Sequence, residues 1–260
     1  MTPDRGQDLA EVGRALAEAF GLYLSSGLER ALRDGLASAA SEMGVEPASL
    51  ALRVVQRDPA SLHALVEHAV VPETYFWRHP DQIAALAAVA FGATGPLAIW
   101  SAGCSSGEEP YSLAIALLEA GRAGRGDRIV ATDVSDRLLE AARRGSYGPW
   151  SIRRLPRDLA DRWVPGADER RVADEVRAPV EFRRHNLVAD AAPGPFDVIV
   201  CRNVLIYFEA LVAAEVLYRL VQALRPGGLL VVGPVELSLT SPLGLEWVDE
   251  GGATLLRRPR

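Results

Sequence analysis

The 260-residue chain predicts an α/β protein. Its expected architecture is a Rossmann-like, doubly wound sheet with an antiparallel last strand, preceded by a small all-helical domain and carrying an inserted subdomain. Three observations carry this prediction. Residues 1–72 are rich in Ala and Leu at helical spacing. From Glu73 onward, short apolar runs alternate with helical ones. Near the end, Gly251-Gly252 separates LEWVD from ATLLRR, which is a hairpin signal.

The elements follow in order. In the domain of residues 1–72, EVGRALAEAF, LERALRDGLASAASEM and SLHALVEHAV read as helices. Turn or cap signals separate them at Gly21, Ser25-Ser26-Gly27, Gly44 with Pro47, and Asp58-Pro59. No residue there carries chemistry, so its role is to cover or position the second domain. His63 and His68 read as members of a solvated helix face. In the domain of residues 73–260, strands are expected at 97–100, 129–131, 180–182, 198–201 and 229–232. Helices fall at 110–120, 135–144 and 208–224; the second has Ser135 or Asp136 as its N-cap and Gly145 as its stop. Five βα-type strands followed by a hairpin fit the class I methyltransferase architecture. Residues 147–180 break the rhythm, being rich in Arg and Pro and apolar only at Trp150, Leu155, Leu159, Trp163 and Val164. A connection this long reads either as a surface helix with a solvated basic face or as a subdomain that grips a protein partner.

Composition narrows the function classes. The chain is 49% hydrophobic and 24% charged, enough to bury a core. A net charge of −6 leaves no electrostatic footprint for nucleic acid. No early apolar leader and no bilayer-length apolar run occur, so no membrane insertion is expected. Cys104 and Cys201 form no disulfide framework, and a cytoplasmic monomer is the expectation. The four histidines show no metal-ligand spacing with the cysteines, and no metal is expected.

The chemistry concentrates at strand ends. Residues 101–112 read SAGCSSGEEPYS, between an expected strand and an expected helix. A phosphate-binding turn presents bare N–H groups under a helix dipole, whereas Glu108 and Glu109 would repel a phosphate and attract a cation. The natural ligand is one with an ammonium, such as the amino-acid end of S-adenosylmethionine. Gly103 lies in this turn. The second strand ends at Asp133, an acceptor for ribose hydroxyls; the third runs into Asn186-Leu187, which suits an adenine edge and face. The fourth ends at Cys201-Arg202-Asn203. Each has a plain alternative: Asp133 can cap a helix, Asn186 can stabilise a turn, Glu108 can serve only the turn and dipole. The two cysteines read as small apolar packing groups, and Phe76 and Trp77 as packing for an interdomain seam.

Several segments, in order, resemble the chemotaxis receptor glutamate methyltransferases: TYFWR (74–78), SAGCSSGEEPYS, ATDVS, HNL, FDVIVCRNVLIYF (196–208) and LRPGG (224–228). GEEPYS and CRNVLIYF are specific signals; LRPGG is common to many methyltransferases. The likeness covers roughly residues 71–260, and for the N-terminal part it is one of layout only. It implies transfer of a methyl group from S-adenosylmethionine to glutamate side chains of a chemoreceptor cytoplasmic domain or another signalling protein, leaving S-adenosylhomocysteine. It implies cofactor contacts from Thr74, Arg78, Gly103, Glu109, Asp133, Asn186, Leu187, Arg202 and Asn203, with Arg78 and Tyr207 near the transferred methyl. The inserted segment matches in position a small β-subdomain that in some members binds a receptor tail. Two departures stand out: Pro72 where many members have Asn, and Gly233-Pro234-Val235-Glu236 for a more polar segment. They keep two rivals open: a methyltransferase of a small molecule or non-receptor protein, and a cofactor-sensing scaffold without activity.

Overall fold

Proline opens three helices in the first third of the chain, where its fixed φ is already helical and its missing N–H costs no bond. In the computed structural model, which describes residues 5–23, 26–70 and 72–260, α1 (Arg5–Phe20) and α2 (Ser26–Met43) are followed by α3 (Pro47–Val55), α4 (Pro59–Ala69) and α5 (Pro80–Gly92). The sequence reading used Pro47 as punctuation and listed neither α3 nor α5. Both are helices that begin at their proline. Ser25 of the predicted turn, and Val71 at the start of the family likeness, lie outside the described residues.

The molecule divides into two units. The first comprises the described residues before Pro72 together with Asn186–Ala191 and Val204–Val216. Its helices bury Val12, Leu16, Leu32, Leu50, Val54 and Leu65. Gly35 lets α2 approach α4, since a Cβ there would meet the His68 carbonyl at 3.2 Å. The same helix pair is joined by Glu42 and His68 at 2.9 Å, and His63 pairs with Glu67 on α4. Asp58 caps α4 by accepting from the Ser61 N–H at 2.9 Å, as its place before Pro59 predicts.

The second unit is built on a seven-stranded sheet: β1 (Ala98–Ala102), β2 (Arg128–Asp133), β3 (Val180–Arg184), β4 (Phe196–Cys201), β5 (Leu224–Val232), β6 (Glu246–Glu250) and β7 (Ala253–Arg257). Their order across the sheet is β3-β2-β1-β4-β5-β7-β6. The first five run parallel and β7 runs antiparallel to both neighbours. The expected α/β, doubly wound sheet with an antiparallel last strand is what the chain forms. Both faces of the central strands are buried, Ile99, Ile129 and Val198 on one and Trp100, Val130 and Ile199 on the other. Parallel strands covered on both faces read as continuous apolar runs. The β6–β7 hairpin turns on Gly251 and Gly252, with φ of 59° and 83°, the left-handed pair that a two-residue turn of this type needs.

Three further helices position the site: α6 (Glu108–Glu119), α7 (Asp136–Arg144) and, later, Ala210–Ala223. Ser135, not Asp136, caps α7, accepting from the Leu138 N–H at 3.1 Å, and Gly145 ends it at φ 64°. Replacing Ser135 by Ala is expected to lower the unfolding free energy by about 1 kcal/mol, measured by urea denaturation. The last helix begins later than the sequence predicts, because Phe208 is extended and bridges to Leu22 within the first unit. The inserted segment holds three short helices, Pro149–Ile152, Arg157–Trp163 and Asp174–Arg177, and a single two-residue pairing of Ser146–Tyr147 with Arg170–Arg171. Leu155, Leu159, Val164 and Val172 sink into the second unit's core. Among the described residues, no helix is long and apolar enough to cross a membrane.

Candidate functional site

In the second unit the chain leaves β1 towards β2 and β3 on one side and returns to β4 and β5 on the other. The crevice at such a switch point, beyond the carboxyl ends of the strands, is where open α/β sheets bind ligands. The residues at these ends are the ones the sequence singled out.

The turn after β1 wraps over the end of β2. The N–H groups of Gly103 and Cys104 both donate to the Thr132 carbonyl at 2.8 Å, and Gly107 donates to the Cys104 carbonyl. Gly103, Ser105 and Gly107 all adopt positive φ, of 79°, 50° and 96°. This winding aims the Ser105 N–H at Asp133, which accepts it at 2.8 Å; the other Asp133 oxygen accepts the Ser135 N–H at 3.1 Å. Asp133 thus holds the two loops together. A carboxylate has roughly four lone-pair sites, so a fixed Asp133 also has the chemistry to accept from vicinal hydroxyls.

Glu109, in the first turn of α6, has one oxygen on the Ser101 hydroxyl at 2.7 Å and the other on Arg202 Nε at 2.8 Å. Arg202 is 2% exposed at its side chain and also donates to the Arg78 carbonyl at 2.7 Å and to Gln82 at 3.3 Å. One buried guanidinium therefore joins the end of β4, the start of α6 and the TYFWR loop. Glu108 is buried as well. Its carboxylate accepts from Ser106, and burial raises its pKa above the ordinary value, opposed by that hydroxyl. The two glutamates differ as expected: Glu108 belongs to the turn, Glu109 to the strand ends.

The TYFWR loop is fixed from below. Phe76 is fully buried and meets Tyr147 edge-on at 4.8 Å, in the second unit's own core. The Trp77 N–H donates to Ser112, and the Phe76 N–H to the Ser151 carbonyl. Arg78 donates to the Glu73 carbonyl at 2.9 Å and lies 5.6 Å from the Tyr75 ring centroid. Thr74 is half-buried in the same segment.

Some participants carry no linear signal. Asn203 takes a left-handed φ of 59°, and its N–H donates to Glu236, which also accepts from Gly233. The spacing of Gly233 and Glu236 is that of half a capping box, the one hint available in the sequence. Ser101 and Gln82 were missed, because their partners are distant in the chain. His79 is neutral near pH 7: burial lowers its pKa, and the charges of Arg202 and Arg78 add to that. Burial, with Asp133 and Glu109 nearby, pushes the Cys104 thiol well up; burial and Glu236 do the same for Cys201. Neither cysteine is a thiolate nucleophile, and both are buried packing groups as read.

The remaining predicted residues pack within the first unit. Asn186 donates to the Ala19 carbonyl at 2.8 Å and accepts from the Val188 N–H at 3.0 Å, which is the turn role. Leu187 is half-buried. Tyr207 lies in the 3-10 turn Leu205–Tyr207, and its carbonyl accepts from the Tyr23 N–H at 2.7 Å.

The donor set of the second unit fits the amino-acid and ribose portions of S-adenosylmethionine. It offers fixed carboxylates at Glu109 and Asp133, and beside them Asn203 hydrogen-bonds the His79 ring, which opposes the fall in that imidazole's pKa. Carboxylates held in place this way attract a cation, which an ammonium supplies.

Comparison with known proteins agrees. Residues 72–243 match the family described as CheR methyltransferase, SAM binding domain. The chain is 39% identical over 210 residues to the probable biofilm formation methyltransferase WspC of Pseudomonas aeruginosa, covering 77% of this chain and 50% of that protein. It is 39% identical over 193 residues to chemotaxis protein methyltransferase 2 of the same organism, covering 70% and 69%. It is 36% identical over 195 residues to the chemotaxis protein methyltransferase of Klebsiella aerogenes, covering 71% and 67%. The chain spans about half the length of the WspC relative.

Proposed function

The chain belongs to the CheR methyltransferase family, and on that premise we propose that it esterifies glutamate side chains of a chemoreceptor or another signalling protein. The observation that carries this reading is the Glu109–Arg202–Arg78 linkage at the β1/β4 switch point, with Asp133 one strand away. S-adenosylmethionine, when bound, supplies an electrophilic methyl group on a sulfonium.

The chain's own residues do the rest. Glu109 and Asn203 lie at the ammonium end, and Asp133 accepts from the ribose hydroxyls. From the family likeness, Thr74 and Gly103 complete the cofactor contacts within the second unit. An acceptor glutamate has an ordinary pKa of about 4.3 and is already ionised at pH 7. No general base is required, in keeping with a neutral, half-buried His79 and two protonated thiols. The task left to the protein is to align carboxylate oxygen, methyl and sulfur, which is orientation work. Arg78 suits it. Its guanidinium is turned towards a carbonyl and a ring, so it orients an incoming carboxylate without quenching it in a tight, buried ion pair.

The test is incubation with methyl-labelled S-adenosylmethionine and chemoreceptor-rich membranes. Base-labile label on receptor glutamates is the expected result, and its absence with cofactor still bound refutes the reading. Asp133→Ala should weaken cofactor binding by roughly tenfold, read by calorimetry, because two hydroxyls lose a charged acceptor. Unchanged affinity would remove Asp133 from the ribose.

A further inference from the structure

Beside Arg78 lies a second guanidinium that the cofactor and the methyl acceptor leave unused. Arg153 sits in the inserted segment, in the turn after the helix Pro149–Ile152. Its guanidinium carbon is 3.8 Å from the Trp150 ring centroid and 4.1 Å from that of Tyr75. Arg78 lies against the same Tyr75 ring, at 5.6 Å. Two arginines therefore share one aromatic ring, and both are tied to one residue. Glu73 accepts from Arg78 through its carbonyl and from Arg153 through its carboxylate, the latter at 3.3 Å. That carboxylate is 54% exposed at its side chain, so its hold on Arg153 is weak.

The support beneath Arg153 is rigid. The Ser151 carbonyl receives the Phe76 N–H at 2.8 Å, which fastens the Trp150–Arg153 turn to the TYFWR loop. Trp150 is 67% exposed, although it is the largest side chain in the segment. Arg153 donates one Nη to the Trp150 carbonyl and the other to Glu73, so the guanidinium stacked on the exposed indole is held in place, and release of Glu73 frees its outer edge. Arg154, next in the chain, is also exposed. Among Glu73, Glu108, Arg78, Arg153 and Arg154, the positive charges outnumber the carboxylates by one, Glu108 lying within reach of the Arg153 charge.

We propose that Arg153, stacked between Tyr75 and Trp150, binds a second carboxylate of the protein substrate while Arg78 orients the one being methylated. The proposal rests on the function given above and deepens it. The preferred acceptor is then a glutamate with an acidic neighbour, and the Glu73 carboxylate is the group displaced.

The experiment uses the 260-residue chain and two forms of a soluble chemoreceptor cytoplasmic fragment. One form keeps carboxylates beside its methylated glutamates; the other has glutamine at those flanking positions. Wild type is expected to show a KM roughly five- to tenfold lower for the acidic form, the range for a partly exposed, stacked charge contact. Arg153→Ala should erase this preference by raising KM for the acidic form alone. Arg153→Lys should restore part of it, keeping the charge and losing the fork. Binding of S-adenosylhomocysteine, measured by calorimetry, should be the same in all three proteins, which also reports folding. If Arg153→Ala weakens that binding, the guanidinium serves the cofactor and the proposal falls. Equal losses on both fragments would reduce Arg153 to a packing role. Wild type acting equally on both forms overturns this inference alone, whereas wild type acting on neither overturns the proposed function and this inference with it.

Discussion

Arg202→Met is expected to lower the unfolding free energy by about 3–5 kcal/mol and to abolish cofactor binding, because it leaves the Glu109 carboxylate buried without its cation. The Glu109 side chain is 11% exposed and that of Arg202 is 2% exposed. Ser101 alone then remains on Glu109, and a single hydroxyl does not balance a desolvated charge. The Arg78 carbonyl and Gln82 lose a donor in the same substitution. The double variant Glu109→Gln/Arg202→Met should recover much of the stability, since no charge is stranded and the Ser101 hydrogen bond survives in the amide. It should not recover cofactor binding, because Glu109 is the anion proposed to face the ammonium. Denaturant unfolding and calorimetry separate the two effects. If the double variant is no more stable than the single one, the destabilisation comes from lost packing and not from a stranded carboxylate.

This pair also marks the reach of the sequence. Glu109 and Arg202 were both singled out, each for a ligand, from the polar residues at the ends of apolar runs. That inference works because parallel strands bury both faces, so the first polar residue after each run marks a strand end. What the linear chain hides is that the two bind each other across 93 positions. Gln82, which donates to the Val232 carbonyl 150 residues away, and Glu236, which gathers the N–H groups of Gly233 and Asn203, were hidden for the same reason. Spacing reports neighbours on one element. It does not report which loops meet at the end of a sheet.

The helices show a different failure. Pro47 reads as a turn signal in the sequence, yet it begins a helix, as does Pro80, because proline breaks a helix interior and suits its first turn. In the insertion, helices of 4, 7 and 4 residues are too short to show a period. Its apolar residues at intervals were legible, and Leu155, Leu159 and Val164 among them are buried in the second unit's core, whereas Trp150 is exposed.

Gly107→Ala is expected to destabilise the second unit by about 2–5 kcal/mol, whereas Gly145→Ala should cost about 1 kcal/mol. Both glycines are left-handed, with φ of 96° and 64°, so both substitutions bear a backbone penalty. They differ in what the new methyl meets. At Gly145 the nearest atom is 3.6 Å away, an ordinary contact. At Gly107 the Cβ would lie 2.7 Å from that of Ala142, 2.9 Å from the Tyr147 hydroxyl and 3.1 Å from the Ala142 Cα. Those neighbours are in no position to give way. Ala142 is on α7 with its carbonyl held by Tyr111, and the Tyr147 hydroxyl is fixed on the Ser106 carbonyl at 2.6 Å. Relief must come from the turn itself, which would shift Ser105 off Asp133 and Glu109 off Arg202. Gly107→Ala should therefore weaken S-adenosylhomocysteine binding beyond its effect on stability, while Gly145→Ala leaves binding intact. Equal effects at the two glycines would mean that the turn yields without disturbing the carboxylates it positions.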